Sequence, residues 1–167
     1  LPVPGPLAAA LALIGAALAG GLYAGLAAWG EIRFRIPMLI SSLLLSYPAV
    51  GVVSYLVRFP LRDTATGLPQ TAMVPLDARL PTLVGPLNAG LLIVAVIAAL
   101  VVFVDRRTVI GYELRMRGHN VRFAGYGGVA LSRQAFGAMF ASGAVAGLVG
   151  AVIVLGGQFR FIDDALL

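Results

Sequence analysis

The chain has 167 residues, of which 60% are hydrophobic and 11% charged, with a formal net charge of +5 and a mean hydropathy of +0.97. A soluble domain of this length has too little interior to hide so much apolar surface, so the composition defines an integral membrane protein. The basic residues are twelve arginines set between apolar runs rather than along one stripe, which argues against nucleic acid as a partner. The absence of cysteine excludes disulfides, iron–sulfur clusters and thiolate metal sites.

Four uncharged apolar stretches, residues 7–30, 36–57, 86–104 and 134–157, predict four transmembrane helices. At about 1.5 Å per residue each reaches across a hydrocarbon core roughly 30 Å thick. None alternates with period two, so the expected fold class is all-α integral membrane. The chain reads as a single transmembrane domain, or a fragment of one belonging to a longer polypeptide. The first stretch is too long for a signal peptide and has no cleavage site. It carries Ala17, Gly21 and Gly25 at four-residue spacing, and the last stretch repeats the device with Gly143 and Gly147, followed by Gly150. Such small-residue faces either let helices approach closely or line a pathway.

The second stretch is the polar one. Ser41, Ser42, Ser46, Tyr47, Ser54 and Tyr55 fall within it, bracketed at one end by Pro37 and interrupted by Pro48. Hydroxyls here either bond to nearby backbone or offer hydrogen bonds to a small polar solute without fixed charge.

Connectors set the orientation. Residues 31–35 hold two arginines, and residues 105–133 hold six: Arg106, Arg107, Arg115, Arg117, Arg122 and Arg133. The positive-inside rule places both in the cytoplasm, and leaves the Pro-rich connector 58–85 and the C-terminal end, with Asp163 and Asp164, outside. Those paired acids fit a solvated end better than a cation site.

Within 105–133, the run RRTVIGYELRMRGHN predicts a short helix: Thr108 caps it, Val109, Tyr112 and Met116 share a face toward the membrane domain, Glu113 pairs with Arg117, and Gly118 ends it. The charged side suits docking of a soluble subunit, and a solvated loop obeying the positive-inside rule is the simpler alternative.

Several chemistries are missing. No acid or base interrupts the four stretches, so coupling to protons or sodium lacks its usual ligands. Without lysine there is no P-loop. His119, the sole histidine, has no triad partner and reads as a solvated or hydrogen-bonded loop residue.

The run GYELRMRGHN, with AGYGGV and SGAVAGLVGA after it, resembles the permease subunits of bacterial ABC importers of the branched-chain amino acid, ribose and nucleoside type. The blocks LISSLLLSY, VSYLVRFPLRD and GLPQTAMVPLDARLP are similar to the nucleoside and simple-sugar branch in particular. Val121 stands where the family has proline, Pro37-Met38 where many members have Asn-Glu, and Ser46 where an Asn is common.

The resemblance implies a permease fold larger than four spans, in a multi-pass protein of the bacterial plasma (inner) membrane. Its partners would be a cytoplasmic ABC ATPase, a second permease subunit in a homo- or heterodimer, an extracytoplasmic solute-binding protein and the lipid itself, with no nucleic acid. ATP and magnesium would reside on the partner ATPase, leaving this chain with no cofactor, no metal, no catalytic residue and no enzymatic step of its own. Coupling to the ATPase would fall to Gly111, Tyr112, Glu113, Leu114, Arg115, Arg117, Gly118 and Asn120 in the coupling connector 105–133. Ser41, Ser42, Ser46 and Tyr47 would line the path of a nucleoside or simple sugar. A structural or assembly protein of a larger membrane complex, and a passive channel, are the alternatives from other classes.

Overall fold

Small side chains face inward here and large ones face out, the reverse of a soluble core. In the computed structural model, which describes residues 5–63, 70–84 and 87–162, the helices are α1 (Gly5–Phe34), α2 (Met38–Arg58), α3 (Gly90–Arg107), α4 (Val109–His119), α5 (Val121–Tyr126) and α6 (Leu131–Ile153). A 3-10 turn, Leu76–Ala78, and a short antiparallel pair, β1 (Thr82–Val84) with β2 (Leu87–Asn88), interrupt the connector between α2 and α3. Ala9, Ala27, Ala28, Ala124 and Ala135 are buried, while Leu18, Leu22, Leu26, Leu43 and Phe103 stand exposed. That pattern suits lipid, where apolar side chains cost nothing outside and close backbone approach holds helices together.

The strongest contact joins α1 and α6, which run antiparallel. A Cβ added at Gly147 would collide with the Ala16 carbonyl, and one at Gly143 with the Gly20 carbonyl and the Ala24 side chain. Phe140 and Phe136, stacked with centroids 6.4 Å apart, lie over Gly21 and Gly25, whose added Cβ atoms would come within 3.0 Å of the rings. The glycine spacing therefore serves packing at Gly21, Gly25, Gly143 and Gly147, whereas Gly150 faces open space among the described residues.

α2 folds back beside α1 through a three-residue turn in which Arg35 takes φ 56°, a left-handed conformation that costs an arginine about 1–2 kcal/mol. The Tyr23 hydroxyl donates to the Leu45 carbonyl across this hairpin, and Ser41 sits buried near Gly30. Pro48 lies within α2.

Among the described residues, three helices are long and apolar enough by length and composition to cross a membrane: α1, α2, and α6 with its π-helical continuation to Gln158. The third apolar stretch, 86–104, carries α3, which is shorter than α1, α2 and α6. The stretch 86–104 begins to coil only at Gly90, after β2, where the Asn88 carboxamide oxygen accepts from the Gly90 N–H at 3.0 Å. The helix then runs 18 residues and ends in Asp105-Arg106-Arg107, so its uncharged part spans roughly 22 Å at helical rise. α3 nevertheless reaches from one end of α6 to the other. Asn88 Nδ2 donates to the Gly156 carbonyl at 2.7 Å beyond the end of α6, and α4, which follows α3, meets the start of α6.

The connector between α2 and α3 caps the far end of α6. Val74 and Thr71 donate backbone hydrogen bonds to Phe159 and Phe161 at 2.8 and 3.0 Å, the Arg160 guanidinium donates to Gln70 Oε1 at 3.1 Å, and Arg79 lies 4.3 Å above the Phe159 ring. Residues 58–63, 70–84 and 87–89 thus gather at one end of the bundle and 105–133 at the other. Asp163 and Asp164 fall outside the described residues.

Candidate functional site

α4 and α5 stand at the arginine-rich end. Asp105, at the end of α3, is followed within four residues by the start of α4, and the turn is held by Thr108: its hydroxyl donates to the Val104 carbonyl at 2.6 Å and accepts from the Gly111 N–H at 3.3 Å. The return is so tight that a Cβ at Gly111 would strike the Val104 and Asp105 carbonyls. Thr108 is the expected cap, and Gly111 has a steric reason to be glycine. α4 ends at His119, one residue past Gly118. Asn120 then turns extended, and its side chain accepts from the Arg122 and Phe123 N–H groups at 3.0 and 3.1 Å to start α5.

The structure divides the eight expected coupling residues. Tyr112 is 60% exposed, and Arg115, Gly118 and Asn120 are exposed with it. Glu113, Leu114 and Arg117 are partly buried against the bundle, and Gly111 is fully buried in the turn. The expected face Val109–Tyr112–Met116 does not turn toward the membrane domain: Val109 is 70% exposed, and Tyr112 and Met116 border an open groove of about 380 Å³ with Arg115, His119, Asn120 and Phe123. The helix rotates this way because Gly111 and Leu114 are the residues that fit the closer contact.

The expected Glu113–Arg117 pair does not form either. Glu113 Oε2 accepts from Gln134 Nε2 at 3.1 Å, while Arg117 Nη1 donates to the Leu131 carbonyl at 3.2 Å. Arg115 forms an ion pair with Asp105 at 3.3 Å, both side chains being half exposed. A neighbouring helix offers partners with better geometry than the exposed turn four residues on, whose pairing is worth only about 0.3–0.5 kcal/mol. Sequence reasoning missed Asp105 and Gln134 as partners. The available signal was Gln134 itself, an amide at the head of an otherwise apolar stretch. Gln134 also borders a cleft of about 690 Å³ between α3, α4 and α6, walled by Val104, Ile110, Leu114, Phe136 and Ala141.

The second expected group separates as well. Ser42 and Ser46 share one face of α2, and their hydroxyls donate to the Leu39 and Leu43 carbonyls at 3.0 and 2.6 Å. Tyr47 is 80% exposed, and Ser41 lies on the side facing α1. Among the described residues no group of three or more His, Asp or Glu is placed to hold a metal ion.

Apolar membrane-length helices joined through glycine, with a short capped helix at their arginine-rich end, define a multi-pass helical membrane protein. The chain belongs to the family described as branched-chain amino acid transport system, permease component, whose model matches residues 3–166. It is 33% identical over 165 residues to the Glucose ABC transporter permease protein TsgB13 of Haloferax volcanii, covering 90% of this chain and 43% of that protein. It is 29% identical over 153 residues to the Guanosine ABC transporter permease protein NupP of Bacillus subtilis, covering 87% of this chain and again 43% of the relative. The chain therefore spans less than half the length of the curated relatives it matches. No solved structure matches it.

Proposed function

We propose that this chain forms part of a permease that carries sugars or nucleosides across the plasma membrane, driven by a separate cytoplasmic ATPase that docks on α4. The observation that carries the reading is α4: a capped helix outside the membrane-length helices, presenting Tyr112 and Arg115 outward while Glu113 and Arg117 hold it to α6. A loop that merely obeys a charge rule needs neither the cap nor the two inward bonds. The names of the two relatives, glucose and guanosine transporter permeases, support sugars and nucleosides as the solute class.

In this reading the ATPase brings ATP and magnesium, a second permease subunit completes the path, and an extracytoplasmic solute-binding protein delivers solute to the end formed by the α2–α3 connector. The part of this chain is to receive displacement at α4 and to reshape the path between the spans. A conformational change paid for by ATP needs only differential contacts in two states, not a reactive group on this chain.

Ser42, Ser46 and Tyr47 are the proposed solute contacts, whereas Ser41 serves packing against α1. The two roles separate experimentally. The Ser42 and Ser46 hydroxyls bond to their own helix, so Ser42→Ala and Ser46→Ala should change stability by under about 1 kcal/mol. Uptake of the transported solute by the intact transporter should fall several-fold in the double variant, the loss expected when solute hydroxyls lose hydrogen-bond partners. Unchanged uptake with an altered melting temperature would assign these serines to packing.

A further inference from the structure

Resting on the docking reading above, we infer that Gln134 is the residue that passes α4's displacement to the membrane helices, and that α1 and α6 receive it as one body. The hydrogen bond from Gln134 Nε2 to Glu113 Oε2, at 3.1 Å and partly buried, sits beside the bond from Arg117 to the Leu131 carbonyl at 3.2 Å. The two anchors are one helical turn apart on α4 and three residues apart on α6. Two points fix an angle as well as a distance, so α4 cannot rotate without turning the start of α6.

The amide is costly where it stands. Gln134 Oε1 is buried with no hydrogen-bond partner, and an orphaned buried acceptor disfavours folding. Its neighbours Ala135 and Phe136 are apolar, and packing alone would be served by another apolar side chain. What the amide adds is its donor to Glu113.

The receiving body is rigid and has room. α6 touches α1 backbone to backbone at Gly20, Gly143 and Gly147, so neither helix slides past the other without opening the seam. On its other side α6 meets α3 sparsely, and the cleft of about 690 Å³ lies between them. A pull on Glu113 therefore tilts α1 and α6 together about the Thr108 turn that ties α4 to α3, while the Arg115–Asp105 pair, half exposed, yields easily.

The test uses the intact transporter with its ATPase in liposomes, comparing Gln134→Leu with the exchange Glu113→Gln plus Gln134→Glu, which rebuilds one donor and one acceptor across the same gap. Gln134→Leu should keep ATPase capture and ATP hydrolysis while solute transported per ATP falls roughly tenfold, and the exchange should recover most of that loss. Gln134→Leu with wild-type transport per ATP overturns the inference, as does a loss of captured ATPase or a proportional loss of transport and hydrolysis that the exchange fails to restore. A wild-type protein that captures no ATPase overturns the docking reading first, and this inference with it.

Discussion

Replacing Gly143 with leucine in the intact protein should lower its melting temperature in mild detergent by about 6 °C or more, and leave little monodisperse protein after purification. The Cβ alone would collide with the Gly20 carbonyl and the Ala24 side chain, and neither the backbone nor a side chain ending at Cβ can swing away. α1 and α6 would have to separate along the seam, losing the close contacts at Gly147 and beneath Phe140 as well. Overpacking against flexible neighbours costs about 1–3 kcal/mol, and rigid neighbours place this site at or above the upper limit. At roughly 2–4 °C per kcal/mol, about 3 kcal/mol corresponds to a shift of about 6–12 °C. Gly150→Leu, on the same helix but with nothing within 4 Å of its Cβ, should shift the midpoint by no more than about 3 °C. Equal shifts at both positions would contradict the assignment of the α1–α6 seam.

The second large effect is expected at Arg115. Reversing its charge, Arg115→Glu, should reduce co-purified ATPase at least tenfold while leaving the fold nearly intact. The magnitudes separate the two outcomes. The Arg115–Asp105 pair is half exposed, and such pairs are worth about 0–1 kcal/mol, too little to unfold a helix that is also capped by Thr108 and bonded to α6. Like charges brought together at a protein interface cost several kcal/mol, enough for the tenfold loss. Adding Asp105→Arg rebuilds the internal pair without restoring the outward positive charge at position 115. Recovered ATPase binding in that double variant would mean that the ion pair, and not the docking face, was the element that mattered.

Local rules carried much of this structure. The apolar runs mark α1, α2 and α6, Thr108 marks the start of α4, and the arginine excess marks the end at which α4 and α5 gather. The failures share a cause. Glu113 and Arg117 satisfy the four-residue rule yet choose Gln134 and the Leu131 carbonyl, since a partner on another helix is invisible to any local spacing. Gly150 matches the glycine pattern but misses the seam, because the contact follows the crossing of two helices and not the period of one. Within the segment proposed for coupling, only the geometry separates an outward face at Tyr112 and Arg115 from an inward one at Glu113 and Arg117.

The most direct test places a photo-crosslinking amino acid at Tyr112, exposed on α4, and separately at Leu76, 77% exposed in the connector at the opposite end. Irradiated in native membranes, the Tyr112 position should trap a soluble protein that hydrolyses ATP, and the Leu76 position should not. An ATPase trapped at Leu76, or none at Tyr112 while the protein remains assembled and active, would contradict α4 as the docking helix.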